Sequence, residues 1–296
     1  MYPDKYAAKN PERAAFIMAS SGQSVSYAEF EMRANRMAHL LCAEGLGQRD
    51  HFSIMMENND RYLEACAAGE RTGLYYTCIN SYLTADELAY ILDNSESQIL
   101  ITSMLKLGVA IDAVAQSNKV RKVLVVDAGA NQLPEGFEDY ATACQSFPVT
   151  PIDNERLGTA MLYSSGTTGR PKGIIRPLPE QPPAEALPIF DFLGQLWHYR
   201  EDMVYLSPAP LYHSAPQAAV NLTIRQGGTV IIMERFDPEA YLSLIEQYTV
   251  THSQLVPTMF SRMLKLPEAV RRSYDLSSLE IAVHAAAPCP VMVKQQ

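Results

Sequence analysis

The stretch Thr159-Ala160-Met161-Leu162-Tyr163-Ser164-Ser165-Gly166-Thr167-Thr168-Gly169-Arg170-Pro171-Lys172-Gly173 decides how the chain is read. Residues 159–163 form a short apolar run of the kind that builds a buried strand. Residues 164–173 therefore lie where a strand ends. Gly166, Gly169 and Gly173 permit positive φ and let backbone N–H groups come close to a ligand. The hydroxyls of Ser164, Ser165, Thr167 and Thr168 are donors that rotate to suit an acceptor. Lys172 adds a compact positive charge. Clustered N–H groups, hydroxyls and one lysine suit a polyphosphate.

Two familiar phosphate loops do not fit. Counted from Gly166, the Walker pattern needs glycine where Pro171 stands and a hydroxyl where Gly173 stands. The dinucleotide pattern GxGxxG needs a glycine at Thr168. A flexible Ser/Gly/Thr linker would share the composition. It would need neither the preceding apolar run nor the closing Pro-Lys-Gly.

Outward from this stretch, apolar runs alternate with helical periodicity. Strands are expected at 52–56, 98–102, 123–126, 159–163, 203–206, 229–233, 253–256 and 279–283. Helices are expected at 61–72, up to about 116, at 239–248 and at 258–266. Ser26-Tyr27-Ala28-Glu29 and Thr84-Ala85-Asp86-Glu87 read as capping boxes that start helices, and Leu83 and Leu88 are placed as a hydrophobic staple around the second. Strand–helix alternation implies an α/β fold of parallel sheets covered by helices. Two sheet units are expected, 1–152 and 153–296, with the boundary in the proline-containing, polar segment 148–153. No internal repeat stands out. Residues 177–188 hold Pro177, Pro179, Pro182, Pro183 and Pro188, which lack the N–H that helix and ladder need, and read as an exposed loop.

Composition sets outer limits. Of 296 residues, 47% are hydrophobic and 19% charged, as in a folded globular chain of about two domains. With 24 Lys and Arg against 33 Asp and Glu, the net charge of −9 disfavours a protein that coats nucleic acid or anionic lipid. Cys42, Cys66, Cys78, Cys144 and Cys289 show neither CxxC nor zinc spacing, and free thiols in a reducing compartment are expected. The first residues lack the apolar core of a signal peptide. No apolar run reaches the roughly 18 residues of a membrane span, and the best candidate, 186–197, is broken by Asp191 and Gln195. A cytoplasmic location is expected.

Residues 164–173 resemble the signature loop of the AMP-forming adenylating superfamily, which includes acyl-CoA synthetases, adenylation domains of peptide synthetases and luciferases. Further stretches are similar to family landmarks in family order. They are Val25-Ser26-Tyr27-Ala28-Glu29-Phe30, Tyr75-Tyr76-Thr77-Cys78-Ile79-Asn80, Pro210-Leu211-Tyr212-His213-Ser214, Val256-Pro257-Thr258 and His284-Ala285-Ala286-Ala287-Pro288. The resemblance implies the N-terminal domain of an AMP-binding enzyme. It implies ATP-dependent activation of a carboxylic acid, fatty or otherwise lipophilic, to an acyl-adenylate and then to a coenzyme A thioester.

Site roles come from the same resemblance. Ser164, Ser165, Gly166, Thr167, Thr168 and Gly169 hold the β- and γ-phosphates of ATP, and Lys172 adds charge beside them. His213 stands near the acyl carboxylate and the thiol path. Ala285, Ala286, Ala287 and Pro288 lie along the adenine. ATP, magnesium and coenzyme A are the implied cofactors, with no metal ligand assigned in this sequence. The departures are Ile175-Arg176-Pro177, where many members have Thr-His, and the end of the sequence at Gln296. The family's magnesium-binding Tyr-Gly-x-Thr-Glu motif, ribose-binding Asp and small C-terminal domain with its lysine would come after that point. The chain is thus read as an N-terminal portion, incomplete at its C-terminus and inactive alone. A nucleotide-binding or interaction module without turnover is the alternative. His39, His51, His198 and His252 are read as structural, and Met259 and Met263 as core residues or an acyl-pocket wall. Oligomeric state is not read.

Overall fold

The computed structural model describes residues 1–164, 170–185, 187–285 and 287–296, with Ser164 described by its backbone only. Its strands are β1 (Ala14–Met18), β2 (Ser24–Ser26), β3 (His51–Met55), β4 (Tyr75–Cys78), β5 (Ser97–Ser103), β6 (Lys122–Val126), β7 (Phe137–Asp139), β8 (Thr159–Ser164), β9 (Lys172–Ile174), β10 (Val204–Ser207), β11 (Thr229–Ile232), β12 (His252–Leu255) and β13 (Ile281–His284). Among the described residues they form a seven-stranded sheet, β7-β6-β5-β3-β4-β8-β9, and a six-stranded sheet, β13-β12-β10-β11-β1-β2. Each sheet is parallel except for one strand at its edge, β9 paired with β8 and β2 paired with β1. The expected α/β class with two largely parallel, helix-covered sheets is what the chain forms.

The expected division at 152/153 differs from the observed one. The chain separates into a first unit, Met1–Lys5 with Glu29–Glu185, and a second, Tyr6–Ala28 with Ala186–Gln296. Strand pairing moves the boundary. β8 pairs parallel with β4, Tyr75 opposite Thr159, so β8 belongs to the first unit. β1 pairs parallel with β11, Phe16 opposite Val230, so an N-terminal segment completes the second. Pairing across such sequence separations leaves no local turn signal, whereas segment 148–153 carried one.

Most strands and helices fall within a few residues of expectation. Val123, Leu124, Val125 and Val126 are buried in β6, and β5 is buried over most of its length, as parallel strands covered on both faces must be. Thr84 caps the helix Ala85–Asn94 in a full capping box, accepting from the Glu87 amide while Glu87 accepts from the Thr84 amide. Leu83 and Leu88 pack into one core cluster with Leu92, Leu100 and Val123, so the staple closes. The helix Ser214–Gln226 was not expected. Its Pro216, Asn221 and Thr223 are poor helix formers, and tertiary burial of Val220, Leu222 and Ile224 overrides them. The described residues of 177–187 lie in no helix or strand, as expected, although Pro183 is buried, while Pro188 departs from the expected loop and opens the helix Pro188–Leu196, whose first position needs no N–H.

The two sheets share one winding that no sequence repeat announces. β3-β4-β5-β6 adopt the order β6-β5-β3-β4, and β10-β11-β12-β13 adopt β13-β12-β10-β11. In each, the chain steps one way to the second strand, then crosses back past the first. Right-handed crossovers therefore put the helix Tyr62–Thr72 on one face of the first sheet and the helices Ala85–Asn94 and Leu107–Val114 together on the other. In the second sheet the helix Ser214–Gln226 opposes Pro238–Tyr248 and Pro257–Leu264 in the same way. Such winding opens a crevice at the carboxyl ends of neighbouring strands whose connections diverge. These pairs are β3/β5 and β10/β12.

Candidate functional site

In the first unit, β8 and β9 clamp the base of the phosphate-loop stretch. Ser164 lies opposite Lys172, Tyr163 opposite Gly173 and Leu162 opposite Ile174. Residues 165–169, which carry most of the expected phosphate contacts, lie outside the described residues. Their flanks are held by the helix Ala85–Asn94. Tyr163 Oη donates to Asn94 Oδ1 at 2.7 Å, Tyr90 Oη donates to the Pro171 carbonyl at 3.2 Å, and the Arg170 guanidinium sits 4.9 Å from the Tyr90 ring centroid. Lys172 itself is exposed.

Close backbone packing sets the position of β8. A Cβ on Gly158 would lie 2.1 Å from the Gly69 carbonyl oxygen and 2.5 Å from that of Leu74. Only glycine lets the chain pass between these carbonyls, where the Gly158 amide donates to the Glu70 carbonyl at 2.8 Å. At the other end a Cβ on Gly173 would crowd the Met161 methyl and the Tyr163 ring, side chains that can shift, so the constraint there is weaker than at Gly158.

In the second unit the β10/β12 crevice holds a cavity of about 200 Å³. His213 and Ser214 reach it from the connection after β10, Gln254 and Val256 from the end of β12, and Ala285 from the residue after β13. The Ala285 amide donates to the Leu255 carbonyl at 3.3 Å, extending the strand pairing one residue past β13. His213 is the residue preceding the helix Ser214–Gln226 and has extended backbone angles, φ −81 and ψ 143. Its amide donates to the Pro210 carbonyl, and its ring lies 4.4 Å from that of Tyr212. Although His213 is an exposed residue, partial desolvation lowers its pKa below the usual histidine value. The positive end of the helix dipole acts in the same direction. At neutral pH His213 is therefore an uncharged imidazole, able to accept at one nitrogen and donate at the other.

Sequence reasoning missed Gln254. Its amide oxygen is buried with no hydrogen-bond partner among the described residues, and it lines the cavity. The signal was present as a polar residue inside the apolar run 253–256, at the carboxyl end of a parallel strand. Of the expected adenine segment, Ala285 lines the cavity, Ala287 and Pro288 are exposed, and Ala286 lies outside the described residues. Met259 is buried in the core, while Met263 and Phe260 line a separate cavity of about 320 Å³ with His284 and Cys289. His252 is structural. It is buried, with Nδ1 2.8 Å from Thr251 Oγ1 and Nε2 2.9 Å from the Trp197 carbonyl. Among the described residues no group of three or more His, Cys, Asp and Glu side chains is placed to hold a metal ion. A magnesium ion thus finds no carboxylate cradle among those residues.

Two largely parallel sheets, each with a switch point between strands whose connections diverge, define an α/β fold. The family model described as AMP-binding enzyme matches residues 3–296, and the chain belongs to that family. It is 28% identical over 278 residues to 4-coumarate--CoA ligase 1 of Petroselinum crispum, covering 94% of this chain and 50% of that protein. It is 28% identical over 289 residues to acyl-CoA synthetase 7 of Caenorhabditis elegans, covering 95% of this chain and 53% of that protein. The chain spans about half the length of the curated relatives it matches. Among solved structures, the N-terminal domain of FACL13 from Mycobacterium tuberculosis superposes with a TM-score of 0.84 at 24% identity, over 99% of this chain and 70% of that one. ATP-bound MatB from Rhodopseudomonas palustris gives 0.77 at 26% identity, over 100% and 57%. Among the described residues no helix is long and apolar enough to cross a membrane.

Proposed function

We propose that these residues belong to an enzyme that activates a carboxylic acid with ATP and passes the acyl group to coenzyme A. The observation that carries this reading is the loop sequence 164–173 on a clamped strand pair, in a chain of the AMP-binding enzyme family. In the first half-reaction the acid's carboxylate attacks the α-phosphorus and pyrophosphate leaves. In the second the thiol displaces AMP. Such transfers depend on positioning and charge neutralisation. The amides and hydroxyls of Ser164, Ser165, Gly166, Thr167, Thr168 and Gly169 bind the β- and γ-phosphates, and Lys172 offsets their charge. Ala285, Ala286, Ala287 and Pro288 present small side chains to the adenine.

His213, uncharged at neutral pH, orients the acyl carboxylate by a hydrogen bond and leaves the incoming thiol free of a competing cation. The cavity beside it is walled by Ala209, Pro216, Leu255 and Val256. These side chains favour a lipophilic acid, fatty or aryl, in keeping with relatives named for 4-coumarate and acyl groups. Magnesium would accompany ATP. The free thiols fit a cytoplasmic location. The test is ATP–pyrophosphate exchange with a panel of fatty and aryl acids, using these residues within the full-length protein. Exchange dependent on a lipophilic acid supports the proposal. A folded protein that binds ATP without exchange for any acid refutes it in favour of a binding module.

A further inference from the structure

The first unit holds a cavity of about 320 Å³. It lies between the helix Tyr27–Ala43, the start of the helix Tyr62–Thr72 and the helix Tyr140–Gln145. We propose that this cavity binds a small monocarboxylate, gripped by the Arg36 guanidinium and the Tyr140 hydroxyl.

The cavity is walled by three arginines whose charges are met unequally. Arg33 pairs with Glu29 and with Asp60, the latter at 3.2 Å. Arg61 pairs with Glu64 at 3.3 Å and with Asp60 at 3.6 Å. Arg36 differs, because its Nε is buried and it has no hydrogen-bond or ion-pair partner among the described residues. A half-buried guanidinium without a counter-charge is costly, and its planar fork matches a carboxylate. Tyr140 is 2% exposed, and its hydroxyl faces the Glu64 carboxylate without meeting hydrogen-bonding geometry. Protonation of Glu64 weakens that attraction and leaves the phenol O–H to an acceptor in the cavity. Arg36 and Tyr140, from two different helices, thus present donors to one space. Its volume is at the small end of ligand pockets, and Ala141 and the exposed Met32 supply apolar wall.

Binding is coupled to a proton. Glu64, on the cavity wall, is buried deeply enough to raise its pKa to about 7 despite Arg61 and Arg33 nearby. The other charged or ionisable groups near this space are Glu29 and Arg36 from the first helix, Asp60 beside Arg61, Tyr140 and Cys144 from the third helix with Asp139 at its cap, and Asp127, which interacts with Arg61. Burial pushes the Cys144 thiol up to about 12, so it stays neutral. Protonation of Glu64 removes one negative charge from the cavity wall, so a carboxylate beside Arg36 meets less repulsion at lower pH.

Trifluoroacetate is a suitable probe because it stays ionised throughout, so any pH dependence belongs to the protein. Fluorine NMR titration of the chain, with ATP present to occupy the phosphate loop, should show binding about tenfold tighter at pH 6 than at pH 8. Arg36→Gln should weaken binding by about tenfold or more at both pH values, Tyr140→Phe by several-fold, and Glu64→Gln should abolish the pH dependence while retaining binding. ATP affinity should be unchanged in all three. Arg36→Lys, which keeps the charge and loses the fork, serves if Arg36→Gln does not fold, and should weaken binding several-fold. Absence of binding to the unsubstituted chain, undiminished binding by Arg36→Gln or Arg36→Lys, a wild-type affinity independent of pH, or binding of inorganic phosphate in preference to trifluoroacetate would each overturn the proposal.

Discussion

The two units share a winding order but put it to different uses. In the second, the crevice between β10 and β12 is open, lined by His213, Gln254 and Ala285. In the first, the equivalent ends of β3 and β5 are tied together by Ser103 Oγ donating to Glu57 Oε2 at 2.7 Å. Asp127 stands after β6 with its carboxyl raised above the usual range by burial and by Asp60 and Glu57. There the residues proposed to bind phosphate follow β8, a strand added outside the wound four. Topology thus fixes where a crevice can form. The side chains at the strand ends decide whether it is a site.

This contrast can be broken experimentally. The largest effect is expected at Gly158, whose replacement by alanine drives a Cβ into two backbone carbonyls that cannot swing aside. Gly158→Ala should destabilise the chain by about 4 kcal/mol or more, read as a fall in the urea midpoint. A change below about 1 kcal/mol would mean that β8 is not seated by that close approach. His213→Gln should leave stability and ATP affinity nearly unchanged and slow acid-dependent pyrophosphate exchange by about 10²-fold in the full-length protein. Because partial desolvation lowers the His213 pKa, its neutral form persists below the usual value of about 6.5. The acid limb of the rate profile should therefore lie below that pH and vanish in the variant.

Smaller changes sharpen the same comparison. Thr84→Ala removes the cap of the helix that pins Pro171 and Tyr163, and should lower stability by about 1 kcal/mol in thermal unfolding. A concurrent loss of ATP affinity would show that the loop depends on that helix. Gln254→Leu replaces an unpartnered buried acceptor by an apolar group. Its stability should match or exceed the wild type by up to about 1 kcal/mol. A marked loss would mean that the Gln254 oxygen is satisfied in solution.

Legibility in the sequence tracked locality. The strand 159–163 and the capping box at Thr84 were visible because their signals sit within a few residues of each other. The phosphate-loop reading of 164–173 rests on glycines, hydroxyls and Lys172 standing close together in sequence. The boundary was misplaced because β1 joins β11 across more than half the chain, and nothing local to Phe16 or Val230 marks that pairing. His213 and Ala285 were each marked by local motifs, yet their meeting in one cavity depends on the crossing of β11 back past β10. Gln254 was passed over because one polar residue in an apolar strand gains meaning only once that strand's end is known to open onto a cavity.

The central claim is that the loop at 164–172 holds the triphosphate, and calorimetric titration with ATP tests it most directly. Thr167→Val combined with Gly169→Val should weaken ATP binding by about tenfold or more with the unfolding midpoint unchanged, while His213→Gln binds as the wild type does. Equal ATP affinity in the wild type and the loop double variant would contradict the account.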